Sequence, residues 1–454
     1  MTKGGYSSHE EESIMDKIIE VLNKKGNGQL EAIYGKLTNT PVLTRVKKYL
    51  AGEYDIRFNL INNDFEYRLK GEDSYEELNE NDLYIELQED RINCSIDNLR
   101  TLLKSKYIKN YNPIKTYFDS LPKWEVGDQD YISELAGYIQ TTDQKRWLYH
   151  FKKYIVRVVA CATIDGAFNK QCLTLRSGQN DGKSTFCRFL CPPTLSKYFI
   201  ENVQADKDGR IALGENLIIN MDELASMSRQ EINDFKAMLS KPCEKVRRPY
   251  DRKAKMAQRI ASFVASTNDA EFLTDTTGSV RWLVFDVLSI DFAYSREIDI
   301  DLVYAQALAL LKSGFEYQLD KSDVSENEQV NRKYQVKTPE MEIVAEAISP
   351  VKKSDYEKDK ANQDYALKTA TQLIELFGER AGSIRLNAGR MGRALRYFGF
   401  EQTQARVGDN GLSIRVWIVK LNNRTGYENI AINEGKPGIK EEDELGYPKS
   451  WDKK

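Results

Sequence analysis

The residues best suited to chemistry lie between positions 172 and 281. "CLTLRSGQNDGKSTF" (Cys172–Phe186) reads as an apolar strand, a glycine-bearing turn and the start of a helix. That is the form of a phosphate-binding loop, in which backbone N–H groups hold phosphate oxygens, a lysine reaches the β and γ oxygens, and a hydroxyl binds Mg²⁺. Ser177, Gly178, Gln179, Asn180, Asp181, Gly182, Lys183, Ser184 and Thr185 would cradle the nucleotide, ATP with its Mg²⁺. Lys183 is the phosphate lysine and Ser184 the Mg²⁺ ligand, with Thr185 as second candidate. Ser177 stands where the pattern G-x-x-x-x-G-K-[ST] has its first glycine; Gly178 follows it and is expected to supply the positive φ.

Support comes from three later stretches. "NLIINMDEL" is an apolar run ending in two acids, which places carboxylates at the carboxyl end of a buried strand. Asp222 would hold Mg²⁺, directly or through water, and Glu223 would orient and deprotonate the attacking water. "ASFVASTND" ends a further strand in Asn268, an amide that can position the water or sense the γ-phosphate; the plainer alternative is an ordinary Asn-Asp turn. "DTTGSVRWLVF" puts Arg281 at the start of the next strand, where it can act as an arginine finger from a neighbouring subunit or pair with a group of its own chain. Together these give catalytic candidates Lys183, Asp222, Glu223, Asn268 and Arg281, with Ser184 and Asp222 as the metal pair.

The elements that must position these groups follow from texture. Four short apolar runs, "QCLTLRS", "NLIINMDEL", "ASFVASTND" and "RWLVFDVL", are strand length and separated by helical or polar stretches, which suits buried strands of an α/β sheet. Before them, "DIRFNLINNDFEYRLK" alternates about a turn and predicts a hairpin. The expected division is a mixed, mainly helical domain over 1–150, an ATPase domain over 151–318, a charged linker over 319–363, a small domain over 364–423 and a disordered tail over 424–454.

Bulk composition narrows the classes. The chain has 454 residues, 41% apolar, 30% charged and net charge −3, so any nucleic-acid surface must be a local patch. Six scattered cysteines (94, 161, 172, 187, 191, 243) form no C-x-x-C pair, which argues against a zinc ribbon and for a reducing compartment. His9 and His150 are the two histidines, and neither sits in a nucleophile motif. The start lacks an apolar core and no run approaches the ~20 residues of a membrane span, so a cytoplasmic protein is expected.

One basic run falls between the D-E and T-N-D strands. "EKVRRPYDRKAKMAQR" carries Lys245, Arg247, Arg248, Arg252, Lys253, Lys255 and Arg259. A solvated face is the plain reading; a hairpin that contacts DNA phosphates is the functional one, with Lys253 and Lys255 near its tip. Arg247 and Arg248 can instead serve the nucleotide or the hairpin base. At the C-terminal side, "TATQLIELFG" is an amphipathic helix. "NAGRMGRALRYFGF" is a second one, capped by Asn387, with Met391, Ala394, Leu395 and Phe398 on one arc and Arg390, Arg393 and Arg396 on the other. "EQTQARVGDNGLSIRVWIVKL" then predicts a hairpin turning at "GDNG". Helix, helix and hairpin wing outline a winged helix whose arginine face suits DNA; a packing or oligomerisation domain is the alternative.

The phosphate loop, the D-E strand, the S-T-N-D strand and T-G-x-x-R, in this order, resemble the superfamily 3 helicases among the AAA+ ATPases. More narrowly, "VRRPYDRKAKMAQRIASFVASTNDAEFLTDTTGSVRW" resembles the virulence-associated protein E family of mobile-element replication proteins. "YNPIKTYFDSLPKWEVGDQDYISELA" resembles the segment that precedes the ATPase there. The likeness covers about 150–318; Ser177 departs from it, as does Val280, where the family often has a second basic residue. The resemblance implies an AAA+-like core and a ring, a hexamer, in which ATP lies at subunit interfaces and pore hairpins draw single-stranded or forked DNA with 3′→5′ polarity. No clustered carboxylate site precedes the ATPase, so a primase or an initiator is expected to act in trans. Rival readings are an initiator or loader without processive unwinding, a nucleic-acid-sensing ATPase switch and, more weakly, a small-molecule kinase.

Overall fold

The computed structural model describes residues 40–224, 227–248, 253–273, 279–360, 362, 364–378, 384–407 and 412–422. The chain divides into two compact units, 1–119 and 120–454.

In the first unit α1 (Val42–Glu53) leads into β1 (Tyr54–Asn59) and β2 (Asp64–Leu69), the hairpin that the alternation predicts, in register from Tyr54 opposite Leu69 to Asn59 opposite Asp64. Asn63, at φ 65, takes the left-handed turn position that asparagine tolerates. β3 (Glu76–Glu77), α2 (Glu80–Glu89), α3 (Ile96–Leu103), β4 (Lys109–Tyr111) and α4 (Pro113–Ser120) follow, and the sheet runs β3-β2-β1-β4. Val46, Leu50, Leu83, Leu87, Leu99 and Leu103 form its core.

The second unit opens with α5 (Tyr131–Gly137), β5 (Ile139–Thr141) and α6 (Gln144–Thr163). Next come β6 (Cys172–Arg176), α7 (Lys183–Phe189), β7 (Phe199–Glu201), α8 (Lys207–Glu215) and β8 (Ile218–Met221). They are followed by α9 (Arg229–Leu239), β9 (Cys243–Val246), β10 (Lys255–Gln258), β11 (Ser262–Thr267) and β12 (Trp282–Ile290). The main sheet is ordered β5-β12-β6-β11-β8-β7. β12, β6, β11, β8 and β7 are parallel and β5 is antiparallel to β12. All four apolar runs named above become strands of this sheet, and every residue of β8 and β11 is buried, as a sheet covered on both faces requires.

Two expected boundaries move. Position 150 falls inside α6, and β5 extends the main sheet, so 120–150 belongs with the second unit. α6 has an apolar stripe that periodicity alone cannot assign to one neighbour. It packs on the sheet, with the Tyr154 hydroxyl donating to the Phe263 carbonyl at 2.8 Å. The expected linker is also structured. After α10 (Tyr294–Glu297) and α11 (Ile300–Lys312) comes α12 (Lys321–Arg332), whose Asn327 and Asn331 amides both donate to the Trp282 carbonyl, at 2.7 and 2.8 Å. Its charge hides this role, because the buried contacts are made by polar asparagines rather than by an apolar stripe.

α13 (Pro339–Ala347), β13 (Ile348–Pro350), α14 (Lys353–Lys358), β14 (Tyr365–Lys368), α15 (Ala370–Phe377), α16 (Ala388–Tyr397), β15 (Gln402–Val407) and β16 (Leu412–Leu421) complete the chain. β16 pairs antiparallel with β13, β14 and β15. Met341, Val344, Leu373, Phe377, Met391, Leu395, Phe398 and Trp417 share one core, so this module begins near 339 rather than 364. The GDNG turn and the tail beyond 422 lie outside the described residues. Among the described residues no helix is long and apolar enough to cross a membrane.

Candidate functional site

The site forms at the carboxyl ends of β6, β8 and β11, the edge where open parallel sheets bind ligands. The loop from Ser177 to Gly182 leaves β6 and enters α7. Its left-handed positions are Asn180 (φ 63) and Gly182 (φ 84). Gly178 is not among the positive-φ residues, contrary to the sequence expectation. Neither residue 177 nor residue 178 therefore needs a glycine for its φ, and Ser177 fits without strain. Gly182 is different: a Cβ there would come within 2.4 Å of Phe292 Cζ, so only glycine suits both its backbone and its neighbour.

Lys183 is buried and tied into the loop. Its Nζ donates to the Gly178 carbonyl at 2.6 Å, to Ser177 Oγ at 3.0 Å and to Asn268 Oδ1 at 2.9 Å. Burial draws its pKa down, against the pull of Asp181 and Asp222. Ser184 Oγ donates to Asp222 Oδ1 at 2.8 Å, and Ser266 Oγ donates to the same oxygen. Asn202 Oδ1 accepts the Asp222 backbone N–H at 2.8 Å. A hydroxyl and a carboxylate facing each other are hard oxygen donors of the kind Mg²⁺ takes. Glu223 follows, exposed and at φ 54, an uncommon backbone for a non-glycine residue. Gln179 and Asn180 are exposed on the loop, Asp181 is half-buried, and Thr185 is exposed in the first turn of α7.

Arg281 does not join this cluster. β12 runs parallel to β6 with Trp282 opposite Cys172, so Arg281 lies at the amino end of the sheet and the loop at the carboxyl end. Its Nε donates to Ser240 Oγ at 2.8 Å. The glycine turn before it lies outside the described residues.

The basic run forms an antiparallel hairpin, β9 with β10, Val246 opposite Lys255. Lys245, Arg247, Lys253 and Lys255 are exposed, and Arg252 lies outside the described residues. Arg248 pairs with Glu215 at 3.0 Å, which ties the hairpin base to α8. Arg259 is not a surface residue. It is 1% exposed and donates to the carbonyls of Ala261, Leu239 and Asn169 at 2.9, 2.8 and 2.6 Å.

On α16, Asn387 caps the helix by accepting the Arg390 N–H at 3.1 Å, as its sequence position predicts. Arg393 and Arg396 are exposed, while Arg390 lies 3.7 Å from the buried Glu340 carboxylate. His150 is fully buried, and burial, reinforced by Arg146, pushes its imidazole down to about 4.

Ser266 and Asn202 were missed by sequence reasoning. Ser266 had a signal, since it sits two residues before Asn268 and so shares its face of the strand. Asn202 is a loop residue with none.

Residues 119–336 match the model of the virulence-associated protein E-like domain. No curated protein matches the chain. Among solved structures, the apo structure of the NrS-1 C-terminal region (305–718) is similar at 13% identity and a TM-score of 0.47, covering 82% of this chain and 98% of that one. Its A form is similar at 12% identity and a TM-score of 0.45, covering 83% and 98%.

Proposed function

We propose that this chain is an ATP-dependent, ring-forming DNA helicase of superfamily 3 type that serves replication of a mobile element. The observation that carries the reading is the convergence of Lys183, Asn268, Ser184 and Asp222 at one sheet edge. The match of 119–336 to the virulence-associated protein E-like domain supports the mobile-element setting.

In this reading the loop backbone and Lys183 bind the triphosphate, and Lys183 exchanges its Ser177 and Gly178 contacts for phosphate oxygens. Ser184 and Asp222 hold Mg²⁺, which supplies neutralisation of the phosphate charge. Ser266 and Asn202 fix the Asp222 carboxylate and backbone. Glu223 takes the proton of the attacking water, and Asn268 reports the state of the γ-phosphate to Lys183. Arg281 lies too far from its own chain's loop to serve it, and as an arginine finger it would leave its own-chain partner Ser240 for a neighbouring subunit's ATP. Lys245, Arg247, Lys253 and Lys255 on the hairpin, with Arg252 between them, contact the phosphates of single-stranded DNA. The module from 339 acts as a winged helix, with Arg393 and Arg396 turned to duplex DNA and Arg390 held closer to Glu340.

The test is the ATP hydrolysis rate per subunit against protein concentration, with and without single-stranded DNA, followed by displacement of a forked strand. A rate that rises with concentration and with DNA, and is lost in Lys183→Ala and Arg281→Ala, is expected. Hydrolysis without strand displacement would leave the loader or switch, and no hydrolysis at ring-forming concentrations would end the ATPase reading.

A further inference from the structure

The nucleotide site has a direction. Lys183 reaches Asn268 on the β11 side of β6, and Ser184 reaches Asp222 beyond it, after β8. The terminal phosphates and Mg²⁺ therefore belong on that side. A nucleotide held by the loop must extend the other way, and the strand on the other side of β6 is β12.

Phe292 stands where β12 ends. Its ring edge meets Gly182, the residue before the phosphate lysine, so closely that a Cβ on Gly182 would lie 2.6 Å from Cε1. The ring is nonetheless 51% exposed. Beneath it Tyr294 is nearly parallel, at 28° with centroids 6.5 Å apart, and Tyr294 packs edge-on against Phe186 and Phe189 of α7. Phe292 is thus the outermost ring of an aromatic stack rooted in the helix that follows the phosphate loop. A surface cavity of about 400 Å³ adjoins the same strand end, lined by Glu134, Gly137, Tyr138, Gln140, Ser289 and Asp291. A loop plug would be covered; a half-exposed ring beside a polar cavity offers a face to a flat ligand.

We propose that Phe292 is the platform on which the base of the nucleotide stacks, with the ribose and base edge directed to the cavity lined by Gln140 and Ser289. This rests on the nucleotide reading of the phosphate loop. Every base has a π face, so a stacking platform binds bases with little discrimination. The site is expected to accept GTP as well as ATP, and pyrimidine nucleotides more weakly because they stack over less area.

The experiment measures binding of ADP and of inorganic tripolyphosphate, both with Mg²⁺, to the full chain and to Phe292→Ala, Phe292→Tyr, Phe292→Leu and Lys183→Ala. Phe292→Ala and Phe292→Leu are expected to weaken ADP binding about tenfold, the scale of one lost stack. Tripolyphosphate binding should stay unchanged, and Phe292→Tyr should restore ADP binding. If ADP and tripolyphosphate weaken together, or if neither changes in a folded variant, Phe292 is a structural residue and the proposal is overturned while the phosphate site stands. If the wild type binds neither ligand, the nucleotide reading itself fails. Phe292→Leu keeps the apolar bulk, so it separates a lost stack from a collapsed loop even where Phe292→Ala unfolds.

Discussion

The phosphate loop and the β9–β10 hairpin are both short polar segments, and they use their charges in opposite ways. In the loop Lys183 is buried and held by oxygens of Ser177, Gly178 and Asn268, while Asp222 is met by Ser184, Ser266 and Asn202. Each group is fixed by its neighbours, and in the proposed ATPase Lys183 gives up Ser177 and Gly178 for phosphate while Asn268 keeps it in place, so few groups need to move. On the hairpin Lys245, Lys253 and Lys255 are exposed at their positions on or beside the two strands. Such groups suit a ligand that is itself a repeating charge, where orientation matters less than the number of counterions released. Substitutions should therefore act steeply and individually in the loop, and shallowly and additively on the hairpin.

The largest effect is expected in the loop. Lys183→Ala should lower ATP turnover by about 10²–10³, the cost of removing one preorganised charge partner. Ser266→Ala should lower it by less, because Ser266 holds Asp222 rather than phosphate. Phosphate release under saturating ATP measures both. A Lys183→Ala variant with only a few-fold loss would erase the contrast.

Arg259 tests whether charge at the end of the basic run belongs to the hairpin or to the core. Arg259→Met should cost at least about 3 kcal/mol of stability, because the carbonyls of Ala261, Leu239 and Asn169 lose a donor in a buried place. Denaturant unfolding reads this, and DNA affinity of the folded fraction should not change.

His150 sharpens the same division through pH. Its folded pKa of about 4 lies below the 6.5 it has when unfolded, so the unfolded chain takes the proton first. Stability is intact above pH 6.5 and falls as pH drops toward 4, by about 3 kcal/mol at the lower end. Arg146, Lys153 and Arg157 face the imidazole and Asp323 partly offsets them. His150→Phe should flatten this part of the acid unfolding curve; an unchanged curve would assign the acid loss to carboxylates such as Asp323, whose pairing with Lys153 holds its pKa below the usual range against its burial.

What was legible in the sequence follows the same physics. The four buried strands announced themselves as short apolar runs, and the loop, Asp222 and Asn268 fell at their ends. Position along the strands set the meeting of Lys183, Ser184, Asp222 and Asn268, but not Ser266 and Asn202, which hold Asp222, nor the place of Arg281 at the opposite end of the sheet. α12 was not readable, because Asn327 and Asn331 bury amides against a carbonyl and leave no apolar period. Arg259 was misplaced for a related reason: a run of basic residues does not say which member turns inward. Phe292 gave no signal, since an aromatic after a strand is more often core than platform.

The smallest effects are expected on the two basic surfaces, and they are the ones that compare them. Lys253→Ala with Lys255→Ala should reduce the salt dependence of single-stranded DNA binding by about 0.7 per lysine in log–log slope. Arg393→Ala with Arg396→Ala should reduce that of duplex binding by about 0.9 per arginine. Neither pair touches the loop, so ATP hydrolysis without DNA should be unchanged. Stimulation by single-stranded DNA should fall only for the lysine pair, because that hairpin leads directly into β11, the strand that ends beside Asn268. If the arginine pair instead removed the stimulation, the module from 339 would be the strand sensor, and the hairpin lysines would be a solvated face.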